Sequence, residues 1–156
     1  MKLTIDKAIA TYRILTADTT RLSKMQGKEK FAVIRAIGHL KTVAGNYDSF
    51  LREAAERLRP EGHAEAVAAY QSGNPLTPAQ QQTLDSYIRA LDQCMAPELA
   101  REITLPLTPL SEDGLSALLD SNPELTASQS ALLLETLLAP GPDAPAPDTP
   151  TANPTE

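Results

Sequence analysis

The chain has 156 residues, of which 42% are hydrophobic and 4% aromatic, and its net charge at pH 7 is −6. This length fits one domain, and a core with no Trp and few aromatic rings must be aliphatic, which favours packed helices over a β-sandwich. One cysteine excludes an internal disulfide, and the short apolar runs exclude a membrane-spanning segment. Charged residues near the start, among them Asp6 and Arg13, also argue against a signal peptide, so we expect a cytoplasmic protein.

The charge is distributed unevenly along the chain. Residues 1–60 carry 12 Lys and Arg against 6 Asp and Glu, whereas residues 61–156 carry 2 against 14. Either the two parts pack together and neutralise each other, or the basic part faces an anionic partner. We prefer neutralisation, because bipolar charge is common where helices pair.

A first amphipathic helix is predicted near the start of the chain. Thr4 can cap it, and Asp6 lies in its first turn, where the helix dipole favours a negative charge. Its apolar face is formed by Ile5, Ala8, Ile9, Tyr12 and Leu15. The helix should end near Asp18, and a basic connector, residues 21–30, follows around Gly27. The four cations of this connector are Arg21, Lys24, Lys28 and Lys30.

The strongest periodic signal in the chain predicts one long helix over residues 28–59. Its apolar residues, which we call the seam, alternate steps of four and three: Val33, Ile37, Leu40, Ala44, Tyr47, Leu51, Ala54 and Leu58. Gly45-Asn46 could instead form a turn that splits the segment into two helices. We favour one helix, because the seam passes through that point in phase. Pro60 and Gly62 should end it.

Two more helices are predicted before residue 100. A short one is expected at about residues 63–72. Thr77 and Gln80 then have capping-box spacing around Pro78, which is typical of a helix start. The apolar face of this helix holds Leu84, Ile88, Leu91 and Met95. Pro97 lies inside the pattern and should kink or interrupt it.

An extended stretch and two short helices come last. Ile103, Leu105 and Leu107 alternate with polar residues or Pro, which indicates extended backbone. Ser111 can cap one helix, and Thr126 with Gln129 repeats the capping-box pattern for another. The Pro-, Ala-, Asp- and Thr-rich segment 139–156 lacks apolar surface to offset ordering entropy, so a disordered tail is predicted beyond a helical domain at 1–138.

Together these elements predict an all-α fold. Its centre is a long antiparallel helical hairpin in which the seam packs against the Leu84–Met95 face. The short N-terminal helix and the two short C-terminal helices should cover the remaining apolar surface.

No set of residues has the spacing of a catalytic, cofactor-binding or metal site. His63-Ala64-Glu65 matches the opening of a zinc deaminase motif, but the Pro-Cys-x-x-Cys that must follow is missing. The glycines are scattered singly, so there is no Gly-rich phosphate loop. Cys94 should be a buried, inert thiol with no basic neighbour to activate it. We therefore expect a protein that is not an enzyme and needs no cofactor.

Two features suggest a contact surface. Gly38 and Gly45 share one face of the long helix, where each costs about 1 kcal/mol of helix propensity relative to Ala. We interpret them as a flat strip that another helix approaches closely, chiefly one from the same chain; a tolerated weakness or a turn is the alternative.

The basic connector, with Arg35 one turn beyond, could hold phosphates. It has no aromatic companions for base stacking, so a solvated junction is favoured over a nucleic-acid site. The candidate contact residues are Arg21, Lys24, Lys28, Lys30, Arg35, Gly38 and Gly45.

The order of elements resembles that of uncharacterised small helical proteins from tailed-phage, prophage and mobile-element genomes. The resemblance covers residues 1–138 and rests on the leading Leu3–Ala8 segment, the long charged helix, the Leu105-Pro106-Leu107 stretch and the closing Leu-rich helices. It implies a role in virion assembly or in interference with host machinery. We therefore expect a non-enzymatic helical adaptor that binds a protein partner. The alternatives are a small inhibitor that docks on a host enzyme and a nucleic-acid binder. A homo-oligomer is compatible with the sequence, and no membrane partner is expected.

Overall fold

The computed structural model describes residues 1–138, and 68% of them are helical. Two three-residue strands accompany six helices in this part of the chain. The elements in chain order are β1 (Lys2–Thr4), α1 (Ile5–Leu15), α2 (Gly27–Arg57), α3 (His63–Gln71), α4 (Pro78–Ala100), β2 (Glu102–Thr104), α5 (Glu112–Asp120) and α6 (Ala127–Leu137). The predicted all-α class is confirmed, while the tail predicted for 139–156 lies outside the described residues.

Helix α1 begins where the sequence predicts, because the Thr4 side chain accepts a hydrogen bond from the Lys7 N–H at 3.4 Å. The residues before it form β1, which pairs antiparallel with β2 so that Leu3 lies opposite Ile103. The extended conformation predicted around Ile103 is therefore confirmed. Its pairing with the start of the chain was not foreseen.

Helix α2 runs without a break through Gly45 and Asn46, so the single-helix prediction is confirmed. It spans Gly27–Arg57, whereas the predicted range was residues 28–59. The seam is its inner face: Val33, Leu40, Ala44 and Ala54 are buried. The first half of the seam packs into the main core, and the core residues contributed by other elements include Ile14, Leu15, Leu110, Leu115, Leu118, Leu133 and Leu137.

The second half of α2 forms the predicted antiparallel hairpin with α4. The Tyr87 hydroxyl donates to the Ala55 carbonyl at 3.0 Å near the end of α2, whereas Leu99 packs against a cluster of Ile5, Ile9 and Ala44, the last of which lies near the middle of α2. The two helices therefore run in opposite directions. The predicted packing of the whole seam against the Leu84–Met95 face is wrong, because the first half of the seam packs against α1 and the C-terminal helices. Leu84 and Ile88 line a groove toward α3, and Tyr87 contacts both α2 and α3.

Helix α4 starts with the predicted capping box, in which Thr77 and Gln80 exchange hydrogen bonds of 3.0 and 3.2 Å. Of the kink or interruption predicted at Pro97, the interruption is wrong, since the helix continues to Ala100. Pro97 lies in the last turn of α4. Because proline has no backbone N–H, the helix lacks a hydrogen bond at this position, but only near its C-terminal end.

The C-terminal helices are also capped as predicted. The Ser111 hydroxyl accepts from the Gly114 N–H at 3.1 Å, and Thr126 forms a capping box with Gln129. A buried hydrogen bond of 3.1 Å between the Thr11 and Thr136 hydroxyls joins α1 to α6. None of the helices in residues 1–138 combines the length and the apolarity that crossing a membrane requires.

Candidate interaction surfaces

The basic connector is held against the turn between α5 and α6. The side-chain oxygen of the buried Asn122 accepts from the Arg21 N–H at 2.6 Å, and its amide donates to the Arg21 carbonyl at 2.8 Å. The Ser121 hydroxyl accepts from the Lys24 N–H at 3.0 Å. The Arg21 guanidinium turns back onto the carbonyls of its own loop, Asp18 and Thr20. The connector is thus an ordered junction whose backbone is fixed by α5 and α6.

The remaining predicted cations lie on the first turns of α2. Lys28, Lys30 and Arg35 are exposed, and none of them forms an ion pair with a described residue. Two of these cations lie at the positive end of the helix dipole, where a positive charge costs roughly 0.3–1 kcal/mol. Glu29 lies between them, but its carboxylate accepts from the Ser111 hydroxyl at 3.1 Å instead. These cations are therefore available to a partner.

Gly38 and Gly45 lie on the face of α2 that points away from the core. A methyl group added to either one would meet no atom within 4 Å among the described residues. The expected close approach by another helix of the same chain is therefore wrong. The physical reason is the phase of the helix: the seam and the glycines lie on opposite sides, so packing of the seam leaves the glycines in solvent.

Two exposed apolar side chains extend the glycine face: Phe31, which the seven-residue spacing places on it, and Ile34, which the sequence did not indicate. Phe31 is 63% exposed and Ile34 is 48% exposed, and Gly38 follows one turn later. Between the glycines, the Thr42 hydroxyl donates to the Gly38 carbonyl at 3.4 Å, so its polar group is turned toward the helix. We call this face the α2 strip; it consists of Phe31, Ile34, Gly38, Thr42 and Gly45. Its cations are Lys28, Lys30, Arg35 and Lys41.

A second surface, also missed, is the groove between α3 and α4. Its volume is about 450 Å³, and the side chains that line it are mainly apolar or aromatic. Tyr70 is 70% exposed and Ile88 is 55% exposed at its opening. Its lining residues are His63, Val67, Tyr70, Leu76, Gln81, Leu84, Asp85, Tyr87 and Ile88. The sequence identified Leu84 and Ile88 as an apolar face, but it did not indicate that this face stays uncovered.

The groove has an acidic border. Asp85 lines it and accepts a hydrogen bond from the Gln81 amide at 3.0 Å. Asp92 lies two turns further along the same face of α4. Neither carboxylate forms an ion pair with a described residue. Arg89 lies one turn from both carboxylates, so this stretch of α4 carries two negative charges and one positive charge.

His63 and Cys94, the two side chains considered above for metal binding and nucleophilic chemistry, each contact another side chain of the fold. The His63 ring lies edge-on to Tyr87, with centroids 4.5 Å apart. Cys94 is half-buried, and the Arg57 guanidinium donates to its sulfur at 3.5 Å. The expectation that Cys94 has no basic neighbour is wrong, because the hairpin brings Arg57 beside it from 37 residues away. Within residues 1–138, no three His, Cys, Asp or Glu side chains are grouped as a metal site.

Few direct ion pairs join the opposite charges of the two parts within residues 1–138. Among the described residues, the single ion pair that connects them is formed by Lys7 and Glu135. The other pair, Glu98 with Arg101, lies within the acidic part, and hydrogen bonding from Arg101 holds the pKa of Glu98 below its usual range. The basic and acidic parts pack together through α1 with α4 and α6, as the preferred interpretation requires, but most of their charged side chains are not paired directly within residues 1–138.

No protein-family model, no curated protein and no solved structure matches the chain significantly.

Proposed function

We propose that this protein is a non-enzymatic helical adaptor, and that the α3–α4 groove is the surface with which it binds a protein partner. The observation that carries the proposal is the exposure of Tyr70 and Ile88 at the opening of an apolar cavity. Apolar residues gathered in this way mark interaction surfaces, and tyrosine is among the residues that contribute most to binding.

The shape of the groove favours a protein segment over a small molecule. A small-molecule pocket encloses most of its ligand's surface, whereas both Tyr70 and Ile88 remain more than half exposed here. An amphipathic helix that lies in such a groove inserts side chains three and four residues apart. Ile88, Leu84 and Gln81 repeat at that spacing along α4 and can receive them.

The biological setting follows from the resemblance in layout to small phage and prophage proteins. In that setting the adaptor contributes to the assembly of a phage particle. This part of the proposal stays a prediction from the sequence, because none of the comparisons bears on it.

The experiment compares three immobilised full-length chains in a lysate of infected or lysogenic cells: wild type, Ile88→Lys and Leu134→Lys. Leu134 is a matched control, since it is 52% exposed on α6 and does not line the groove. We expect a partner that wild type and the Leu134 variant retain and the Ile88 variant loses. Equal capture by both variants would contradict the proposal. A structural particle protein would support the assembly role, whereas a host enzyme would point to a regulator.

A further inference from the structure

We propose that the α2 strip of one copy docks into the α3–α4 groove of a second copy, so that the chain associates with itself head to tail. The inference rests on the proposed function, because it takes the groove to be a protein-binding surface. It adds the identity of one occupant, a second copy of this chain.

The two surfaces have complementary shape and polarity. The strip is a helix face with Phe31 and Ile34 projecting at one end and Gly38 beyond them, where a facing helix can come close. The groove offers an apolar cavity between two helices, large enough to receive aromatic and aliphatic side chains. A helix face laid into a groove between helices is a common recognition mode.

The two surfaces also have opposite charge. Lys30 and Lys41 lie along one side of the strip, and Lys28 and Arg35 along the other. The groove has one carboxylate in its lining, Asp85, and the segment 61–100 that forms it carries five Asp and Glu against one cation, Arg89. Since Asp85 and the cations of the strip form no ion pairs within one copy's described residues, they are free to pair between copies.

Within one copy the strip and the groove do not meet, because the strip faces away from the core. A methyl group added at Gly38 or Gly45 would have no described atom within 4 Å. Residues 139–156 are a poorer occupant for the groove. That segment contains Asp143, Asp148 and Glu156 and no Lys or Arg, so it carries the same charge as the border of the groove.

An interface between two different surfaces of identical chains leaves one free surface of each kind at the ends. Association should therefore continue beyond a dimer unless the geometry closes a ring. This property provides a test that separates the proposal from a symmetric dimer.

The test uses sedimentation velocity on full-length wild type, Phe31→Glu, Ile88→Glu and the control Leu134→Glu. All three changes are at exposed positions, so folding should be retained, and circular dichroism checks this. We expect wild type and the Leu134 variant to form larger species as concentration rises. Phe31→Glu and Ile88→Glu should each stay monomeric. Their equimolar mixture should form a species of twice the chain mass and stop there, because the first keeps an intact groove and the second an intact strip.

Added salt should weaken this association, because the flanking charges are exposed and screened beyond about 3 Å at 1 M ionic strength. A mixture of the two variants that stays monomeric overturns the proposal. So does a wild-type chain that is monomeric at every concentration, and the groove then belongs to another protein or to residues 139–156. Loss of lysate partners in Ile88→Lys would still support the proposed function in that case, so the two failures can be told apart.

Discussion

Asn122 and Arg21, separated by 101 residues in the chain, exchange two hydrogen bonds between the side-chain amide of the first and the backbone of the second. Asn122 also donates to the Leu118 carbonyl at 2.8 Å, and its side chain is buried. One polar side chain therefore fixes the basic connector, and with it the start of α2, to the turn between α5 and α6.

Replacing Asn122 with Ala should destabilise the protein. The change removes three hydrogen bonds and leaves backbone groups of Arg21 unpaired, which costs about 1–3 kcal/mol. Chemical denaturation measures the free energy of unfolding. Asn46→Ala is the control, since Asn46 is exposed in the middle of α2 and Ala is the better helix former, so stability should stay the same or rise slightly. Equal stability of Asn122→Ala and wild type would show that the contact contributes little.

Leu40 is the centre of the buried seam and is fully enclosed. Leu40→Ala should cost about 2–5 kcal/mol, the usual range for a buried Leu. Leu51 is only half-buried, so Leu51→Ala should cost less. Leu134→Ala, at an exposed position, serves as the control in the same denaturation series. A Leu40 variant with the wild-type midpoint would mean that the seam is not the core of this fold.

The local signals in the sequence predicted the helices well. Thr77 and Thr126 are reliable start signals because a capping box satisfies backbone N–H groups within four residues, whatever lies elsewhere in the fold. The continuity of α2 could be predicted because a turn at Gly45 would have shifted the seam out of phase. These features depend on residues that are close together in the sequence, so they can be predicted from the sequence alone.

The non-local features could not be predicted in the same way. The pairing of Leu3 with Ile103 involves strands too short to show a pattern, and the contact of Arg57 with Cys94 depends on how two helices are aligned. Periodicity also marks the face that holds Ile88 as apolar without saying whether another element covers it. For that reason the seven predicted contact residues include part of the α2 strip and none of the groove.

Gly38 and Gly45 should each be replaceable by Ala with a gain in stability. Both lie inside an exposed helix with open space around them, so Ala should add about 0.5–1 kcal/mol to the free energy of unfolding. Thermal or chemical denaturation checks this. Gly27 is the matched control, because its φ of +52° strains any residue with a side chain, and Gly27→Ala should destabilise.

A double variant that combines Gly38→Ala with Gly45→Ala should weaken self-association while it stabilises the single chain, because the added methyl groups hold a docked helix further away. Sedimentation of the double variant beside wild type measures the effect. Unchanged association would mean that the glycines do not lie in the contact.

Duplex DNA should bind weakly to the basic connector at about 0.15 M salt, where screening acts beyond about 8 Å. Arg21 is occupied by carbonyls of its own loop, and the surface beyond residue 60 is acidic and repels a polyanion. Fluorescence anisotropy with labelled duplex measures the affinity, with Lys24→Glu/Lys28→Glu as the comparison. Sub-micromolar binding that the double variant abolishes would contradict this prediction.

The most direct measurement places a photo-crosslinking phenylalanine derivative at position 70 or position 88 of the full-length chain inside cells, with position 124 as the control. Glu124 is exposed on the turn before α6 and lies outside the groove lining. If the α3–α4 groove binds protein, irradiation should give discrete adducts, with a partner or a second copy, from positions 70 and 88 and none of the same mass from position 124. Groove positions that give no adduct, or the same adducts as the control, would show that the groove is not the contact surface.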